Sequence, residues 1–222
     1  MCDRYSLGVD LETVSEDEAV VRIAWRLEPK CYVVPGRRSP VLLRQGDTLT
    51  VTLGSWGLGR LARSRCNTGR GDLVTQISYD IEGLMSDRIR ELQPCAIPAD
   101  GFIGTGQGPA GMAWRIARTD GRLLWMAGLW RAGVGGLDSS FALLTAPQYV
   151  SGIGLIERAP VLLVGASAPG WLSSQDTCWG TLPPMPPAFL CGVPVTEPVD
   201  RRREWDPADP ASVLGTWRNE LG

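Results

Sequence analysis

Cys2 is the residue whose type and position offer the most specific chemistry in this sequence. Removal of Met1 would leave an α-amine and a thiol on adjacent carbons, with ordinary pKa values of about 8 and about 8.5. Both groups are therefore partly in their nucleophilic form near neutral pH. The amine can form an imine with an aldehyde. The thiolate can then close a five-membered thiazolidine ring, because the intramolecular step has a high effective concentration.

The composition excludes several other kinds of chemistry. The chain has 222 residues and contains no histidine, which removes Ser-His-Asp and Cys-His catalytic arrangements and histidine-ligated zinc. Its six cysteines include no Cys-x-x-Cys pair, the spacing typical of zinc ribbons and thioredoxin-like sites. We therefore expect no metal and no cofactor.

The charge balance limits how the chain could bind nucleic acid. There are 22 basic and 24 acidic residues, for a net charge of −2, so binding would require a local basic patch.

The N-terminus has no apolar signal region, and the longest uncharged stretch, 177–196, holds five prolines. We expect a reduced, cytoplasmic protein with no membrane partner, and a monomer by default.

The pattern of apolar residues predicts a mixture of helices and strands. Helices are predicted over 15–27, 79–93 and 209–221. Strands are predicted over 31–34, 40–44, 48–53, 112–118, 123–130, 140–144 and 161–164. Asp120 and Gly121 lie between two of these strands and indicate a β-hairpin. Because the elements do not alternate as βαβ units, we expect an α+β fold with a largely antiparallel, curled or barrel-like sheet and flanking helices.

No shift in composition marks a domain boundary, so we expect a single domain over 1–222. Its C-terminal part, 177–222, would contain a proline-rich excursion at 182–198 and then a closing helix. The excursion is interpreted as a surface segment, and the alternative is a polyproline II segment that binds a partner.

Six short segments, in order along the chain, resemble the SOS response-associated peptidase (SRAP) family. They are residues 1–5, 55–58, 66–70, 94–102, 127–130 and 157–161, and the resemblance spans about 2–172. The segment Pro-Cys-Ala-Ile-Pro-Ala-Asp-Gly-Phe at 94–102 is the most specific of them. The resemblance implies an α+β fold around a curled sheet. It also implies a function, the shielding of abasic sites in single-stranded DNA by a covalent link to Cys2.

The resemblance also assigns catalytic positions, and two of them have changed. Cys2 and Asn67 match the family's nucleophile and its asparagine. Gly104 stands where the family has a glutamate, and Ile156 where it has a histidine. A positioned acid–base group contributes on the order of 10²–10⁴-fold to a rate, so this sequence keeps the nucleophile and loses two groups that would assist it.

Four further residues are predicted to contact DNA. Arg4 and Arg158 match family positions that contact phosphates, and Arg70 extends the same basic patch. Trp56 is a candidate for stacking on an unpaired base, and its alternative role is in the core.

Three functions remain open from the sequence. The first is a covalent Cys2 thiazolidine with abasic single-stranded DNA. The second is a DNA-binding module of this family without useful chemistry. The third is a peptidase that acts only on its own Met1.

Overall fold

The computed structural model describes part of the chain. The described residues are 4–7, 21–23, 30–46, 48–59, 73–80, 89, 91–106, 112–133, 139–164, 167–173 and 182–195. The predicted C-terminal helix over 209–221 lies outside them, as does most of the helix predicted over 79–93. Among the described residues, no helix has the length and apolar character needed to cross a membrane.

Strands dominate the described residues. They are β1 (Tyr5–Leu7), β2 (Val21–Ile23), β3 (Lys30–Val33), β4 (Arg38–Gln45), β5 (Thr48–Trp56), β6 (Gln76–Ser78), β7 (Gln93–Ala99), β8 (Gly101–Thr105), β9 (Ala113–Arg118), β10 (Leu124–Arg131), β11 (Ser140–Val150), β12 (Gly154–Pro160), β13 (Leu162–Leu163) and β14 (Leu190–Val195). One α-helix, α1 (Ser167–Ser173), and a 3-10 turn at Pro187–Phe189 accompany them.

The strands form two sheets. The smaller sheet has the order β14-β9-β8-β1-β3, and all its described pairs are antiparallel. The larger sheet follows the order β12-β11-β10-β7-β4-β5-β2, with β13 added beside β10 and β6 beside β11. It curls so far that β5 also pairs with β11 over two residue pairs, and this arrangement is a curled sheet rather than a closed barrel.

The main core lies between the two sheets. Strand β7 belongs to the larger sheet and continues directly into β8 of the smaller one at Asp100. Side chains of β7 alternate between the two buried faces, with Cys95 and Ile97 in the core between the sheets and Ala96 in a second apolar cluster. Helix α1 covers that second cluster, where the indole Nε1 of Trp171 donates a hydrogen bond to the Cys95 carbonyl at 2.9 Å.

The prediction of flanking helices is wrong for the described residues. Residues 21–23 lie within the helix predicted over 15–27, but they form β2, which pairs in parallel with β5. Their sequence, Val-Arg-Ile, has two β-branched residues that favour a strand when a sheet edge is available. The described helix α1 was not predicted, since its seven residues include a proline and a glycine.

The predicted hairpin is also wrong, although both of its strands exist. Strands β9 and β10 lie in different sheets, because β9 pairs with β8 and β14 while β10 pairs with β7, β11 and β13. Gly121 adopts a φ of +71° at this corner, a conformation that glycine allows. The Asp-Gly pair therefore turns the chain from one sheet to the other. Part of the proline-rich excursion is likewise a strand, since β14 pairs with β9 along its whole length.

Candidate active site and nucleic-acid interface

The structure describes five of the eight residues singled out from the sequence. Cys2, Asn67 and Arg70 lie outside the described residues. The five that are described lie on β1, β5, β8 and β12 or directly beside them; they are Arg4, Trp56, Gly104, Ile156 and Arg158.

Strand β1 brings the start of the chain into the smaller sheet, next to its edge strand β3. It lies between β3 and β8, with Tyr5 opposite Val33 on one side and opposite Phe102 on the other. Before it, the Arg4 carbonyl accepts a hydrogen bond from the Ile103 amide at 3.0 Å. Cys2 precedes Arg4 by two residues, so covalent geometry keeps their Cα atoms within about 7.6 Å of each other.

Gly104 and Ile156, which stand where the family resemblance expects a glutamate and a histidine, are neighbours in the structure. A Cβ atom on Gly104 would lie 3.4 Å from both Cδ1 and Cγ2 of Ile156, and 3.3 Å from Cδ1 of Ile116. Ile156 is fully buried. Gly104 is the residue after Ile103, which bonds to Arg4. The structure therefore brings positions 104 and 156 together from two sheets, close to where the N-terminal segment enters, and fills the space between them with hydrocarbon.

This arrangement has a direct chemical consequence. Neither a glycine nor an isoleucine can accept or donate a proton through its side chain. Positions 104 and 156 can therefore shape the site but cannot carry out general acid–base catalysis.

A β-bulge explains how Arg158 is presented. Ala146 pairs with Ala159 and Gln148 with Ile156, so two residues of β12 lie opposite the single residue Pro147. Pro147 has no N–H to give to the ladder, which favours an irregularity at this point. Arg158 and its neighbour in the bulge are both exposed, while Ile156 stays buried. The bulge thus turns the arginine outward two residues after a buried site position.

Trp56 occupies the core in this structure. The residue is fully buried, its ring centroid lies 5.2 Å from that of Tyr5, and its Nε1 donates to the Thr75 carbonyl at 2.9 Å. Buried indole N–H groups usually have such a partner. The ring is therefore not accessible to a nucleotide base in this conformation, which agrees with the alternative role in the core.

The turn between β3 and β4 contributes basic residues that the sequence analysis did not select. Arg37 and Arg38 are both exposed. Trp56 supports this turn through its backbone, because its N–H donates to the Arg37 carbonyl at 2.9 Å. Since β1 and β3 are antiparallel, Arg4 lies at the same end of the sheet as the turn. An adjacent arginine pair after Pro-Gly was the signal in the sequence, although proximity to Arg4 depends on strand pairing.

Two cysteines within the described residues contrast as nucleophiles. Cys95 is fully buried, and this burial raises the pKa of its thiol well above the ordinary value. Cys191 is exposed on β14. In the described part of the chain, no cluster of three or more histidine, cysteine or acidic residues could hold a metal ion.

Comparisons with known proteins agree with the fold. The sequence profile of the family described as SOS response associated peptidase (SRAP) matches residues 1–201. No curated protein sequence matches the chain. A crystal structure of a protein from Bordetella bronchiseptica has a TM-score of 0.67 and 21% identity, covering 88% of this chain and 100% of that one.

Two further crystal structures share the fold. A phage-related protein from Bordetella bronchiseptica has a TM-score of 0.65 and 17% identity, covering 88% of this chain and 95% of that one. A protein from Bacteroides thetaiotaomicron has a TM-score of 0.62 and 14% identity, covering 96% of this chain and 98% of that one. At these identities the likeness concerns the fold alone. Because the family profile covers most of the sequence, the chain belongs to the SRAP family, and this membership supports a DNA-damage-associated function.

Proposed function

We propose that the protein binds single-stranded DNA at abasic sites and links Cys2 to the DNA as a thiazolidine. The observation that carries this proposal is the hydrogen bond from Ile103 to Arg4. It brings Arg4, two residues after Cys2 in the sequence, beside position 104, where the family resemblance locates the reaction. Family membership and the 1,2-aminothiol left by removal of Met1 support the same conclusion.

The reaction requires no acid–base group from the protein. The ring-opened sugar of an abasic site carries an aldehyde. The Cys2 amine attacks its carbonyl carbon and expels one water molecule, which gives an imine. The thiolate then adds to the imine carbon while the nitrogen takes up a proton. The net change is the loss of one water, with no oxidation or reduction. Without the family's glutamate and histidine to transfer protons, the reaction still proceeds, but slowly.

Binding would rest on a few arginines rather than on the overall charge. Arg158 and the pair Arg37 and Arg38 are exposed, and Arg4 lies at the end of β1. Guanidinium groups suit phosphate oxygens because they donate in a fork. From the sequence, Arg70 is a candidate for a further phosphate contact and Asn67 for a hydrogen bond to the open sugar; both lie outside the described residues.

A second candidate function is DNA binding without covalent chemistry. The contact between Gly104 and Ile156 favours it, because the acid–base pair has been replaced as a unit by apolar packing. In this case the protein would occupy damaged single strands reversibly. The third function, removal of its own Met1, is required for the covalent reaction and is therefore measured in the same experiment.

Intact mass spectrometry of untagged protein separates these candidates. The protein is incubated with an oligonucleotide that carries one abasic site, or with the same oligonucleotide without it. We expect loss of Met1 and a mass increase equal to the abasic oligonucleotide minus one water. Cys2→Ala should abolish the adduct and retain binding, whereas Cys191→Ala, a matched change at an exposed cysteine, should retain both. Quantitative retention of Met1 would exclude the covalent function.

A further inference from the structure

A cluster of three polar side chains ties strand β1 to the corner between the two sheets. Asp100 forms that corner, between the end of β7 and the start of β8. Its Oδ1 accepts hydrogen bonds from the Ser6 hydroxyl and from Nη2 of Arg115, the latter at 3.1 Å. Its backbone N–H donates to the Ser6 carbonyl at 2.9 Å. Asp100 therefore bonds to Ser6 through both its side chain and its backbone.

Arg115 fixes the other side of this cluster. Its Nη2 also donates to the Asp100 carbonyl, at 3.2 Å. The guanidinium lies over Gly101, where an added Cβ would be 3.0 Å from Cζ of Arg115 and 2.9 Å from the Ile116 carbonyl oxygen. A side chain at position 101 would thus displace the arginine. The Asp-Gly pair of this segment provides both a carboxylate and the room for its cation.

We propose that Asp100, held by Arg115 and bonded to Ser6, is a positioning residue that sets the place of β1 and thereby of the Cys2 nucleophile. Ser6 lies four residues after Cys2, and β1 has only three residues. Because β1 is so short, each hydrogen bond that holds it has a large effect on the position from which the preceding residues extend. The proposal rests on the proposed function, since it concerns the rate of the covalent step.

The expected effects on rate and on stability differ in size, and this difference makes the role measurable. The side chains of Arg115 and Asp100 are 21% and 23% exposed, and partly exposed ion pairs contribute little to global stability. By contrast, a displacement of about 1 Å at a reacting group can cost on the order of 10²-fold in rate. Loss of the cluster should therefore slow adduct formation far more than it lowers the unfolding temperature.

The matched control is a second Arg–Asp pair on the same strand. Arg118 forms an ion pair with Asp120 at the turn after β9, and Asp120 also accepts a hydrogen bond from the Arg122 amide. Asp120→Asn makes the same chemical change as Asp100→Asn, but Asp120 accepts its hydrogen bonds from Arg118 and Arg122 rather than from Ser6. Any general effect of losing one exposed ion pair on β9 appears in both variants.

The experiment measures three quantities for each variant: the first-order rate of adduct formation at saturating abasic DNA, the Kd for the same strand without the abasic site, and the unfolding temperature. We expect Asp100→Asn and Ser6→Ala to slow adduct formation by about 10- to 100-fold. The Kd should stay within about twofold, and the unfolding temperature should fall by less than about 4 °C. Ser6→Thr keeps the hydroxyl and should restore the rate, while Asp120→Asn should leave it unchanged.

Three results would overturn the inference, and they are distinguishable. If the wild-type protein forms the adduct and Asp100→Asn forms it at the same rate, the positioning role is wrong while the proposed function stands. If the wild-type protein with a free Cys2 forms no adduct, the proposed function fails and the positioning role fails with it. Equal losses of rate in Asp100→Asn and Asp120→Asn would also contradict a specific role for Asp100.

Discussion

Introducing the glutamate and histidine that the family resemblance expects at positions 104 and 156 is the most direct test of the site geometry. The change is Gly104→Glu together with Ile156→His. In the structure, a Cβ at position 104 would meet Ile116 at 3.3 Å and Ile156 at 3.4 Å. Gly104→Glu alone would therefore place a carboxylate against two aliphatic side chains. An uncompensated buried charge costs about 3–5 kcal/mol, so the single variant should be strongly destabilised.

The second substitution should relieve much of this cost. Ile156→His removes the methyl groups that contact position 104 and puts a hydrogen-bonding ring in their place. Residues in contact commonly show coupling free energies of up to about 3 kcal/mol, so the double variant should be more stable than the sum of the single changes predicts. If the restored groups reach the reacting aldehyde, adduct formation should accelerate by up to roughly 10²-fold, at the lower end of the range for general acid–base catalysis.

The assay combines denaturant unfolding of the four members of the cycle with the rate of adduct formation at saturating abasic DNA. Gly104→Gln with Ile156→Asn is the matched control, because it adds polar side chains of similar size that do not titrate. A single Gly104→Glu variant as stable as the wild type would refute the contact between positions 104 and 156. If the folded double variant forms the adduct no faster than the control variant, the side chains at positions 104 and 156 do not reach the reacting groups.

Three other outcomes follow from the structure. Trp56→Phe should lower the free energy of unfolding by about 0.5–1.5 kcal/mol, because the indole loses its hydrogen bond to the half-buried Thr75 carbonyl, which keeps the Leu143 amide as a donor, and should leave DNA affinity unchanged in a titration of the folded protein. Arg158→Ala should weaken single-strand binding and flatten the plot of log affinity against log salt by less than one unit, whereas Arg122→Ala, an exposed arginine at the turn after β9, should not. A thiol reagent should modify Cys191 in the native protein and Cys95 only after unfolding, as peptide mass mapping would detect.

Local sequence patterns predicted where strands form better than they predicted which strands pair with each other. Alternation and β-branched residues correctly indicated β4, β5, β9 and β10, because these features reflect how a single strand packs against a buried face. The Asp-Gly turn was identified as well, but its geometry is local and does not decide whether the two strands it joins share a sheet. Here β14, from much later in the chain, occupies the edge of β9.

The failure at residues 21–23 has a similar origin. An apolar run after a capping box predicted a helix, while the edge of β5 accepts these residues as a parallel strand. Parallel pairing joins segments that are distant in sequence, so no local pattern announces it. The context of the sheet therefore outweighed helix propensity in this segment.

For the candidate site too, the sequence identified individual residues but not the contacts between them. The family resemblance identified positions 104 and 156 by their neighbours in sequence, and the structure showed that they touch. The sequence could not indicate the role of Asp100, because that role depends on Ser6 and Arg115 arriving from two other strands. From the sequence, Asp100 was recognised only as a member of the 94–102 segment that resembles the family.

The loss of titratable groups at positions 104 and 156 changes the expected pH dependence of the covalent reaction. Imine formation needs the free amine of Cys2, whose ordinary pKa is about 8. The rate at saturating abasic DNA should therefore rise about tenfold per pH unit below that value, as the deprotonated fraction grows, and level off above it. A protein carboxylate or imidazole in the mechanism would add a further inflection near pH 4–6.5. We expect none in the wild-type protein, and we expect one to appear in Gly104→Glu with Ile156→His. A wild-type profile that bends between pH 4 and 6.5, measured with binding kept saturated at each pH, would mean that another carboxylate of the chain has taken over proton transfer. It would refute the conclusion that the aminothiol reacts unaided.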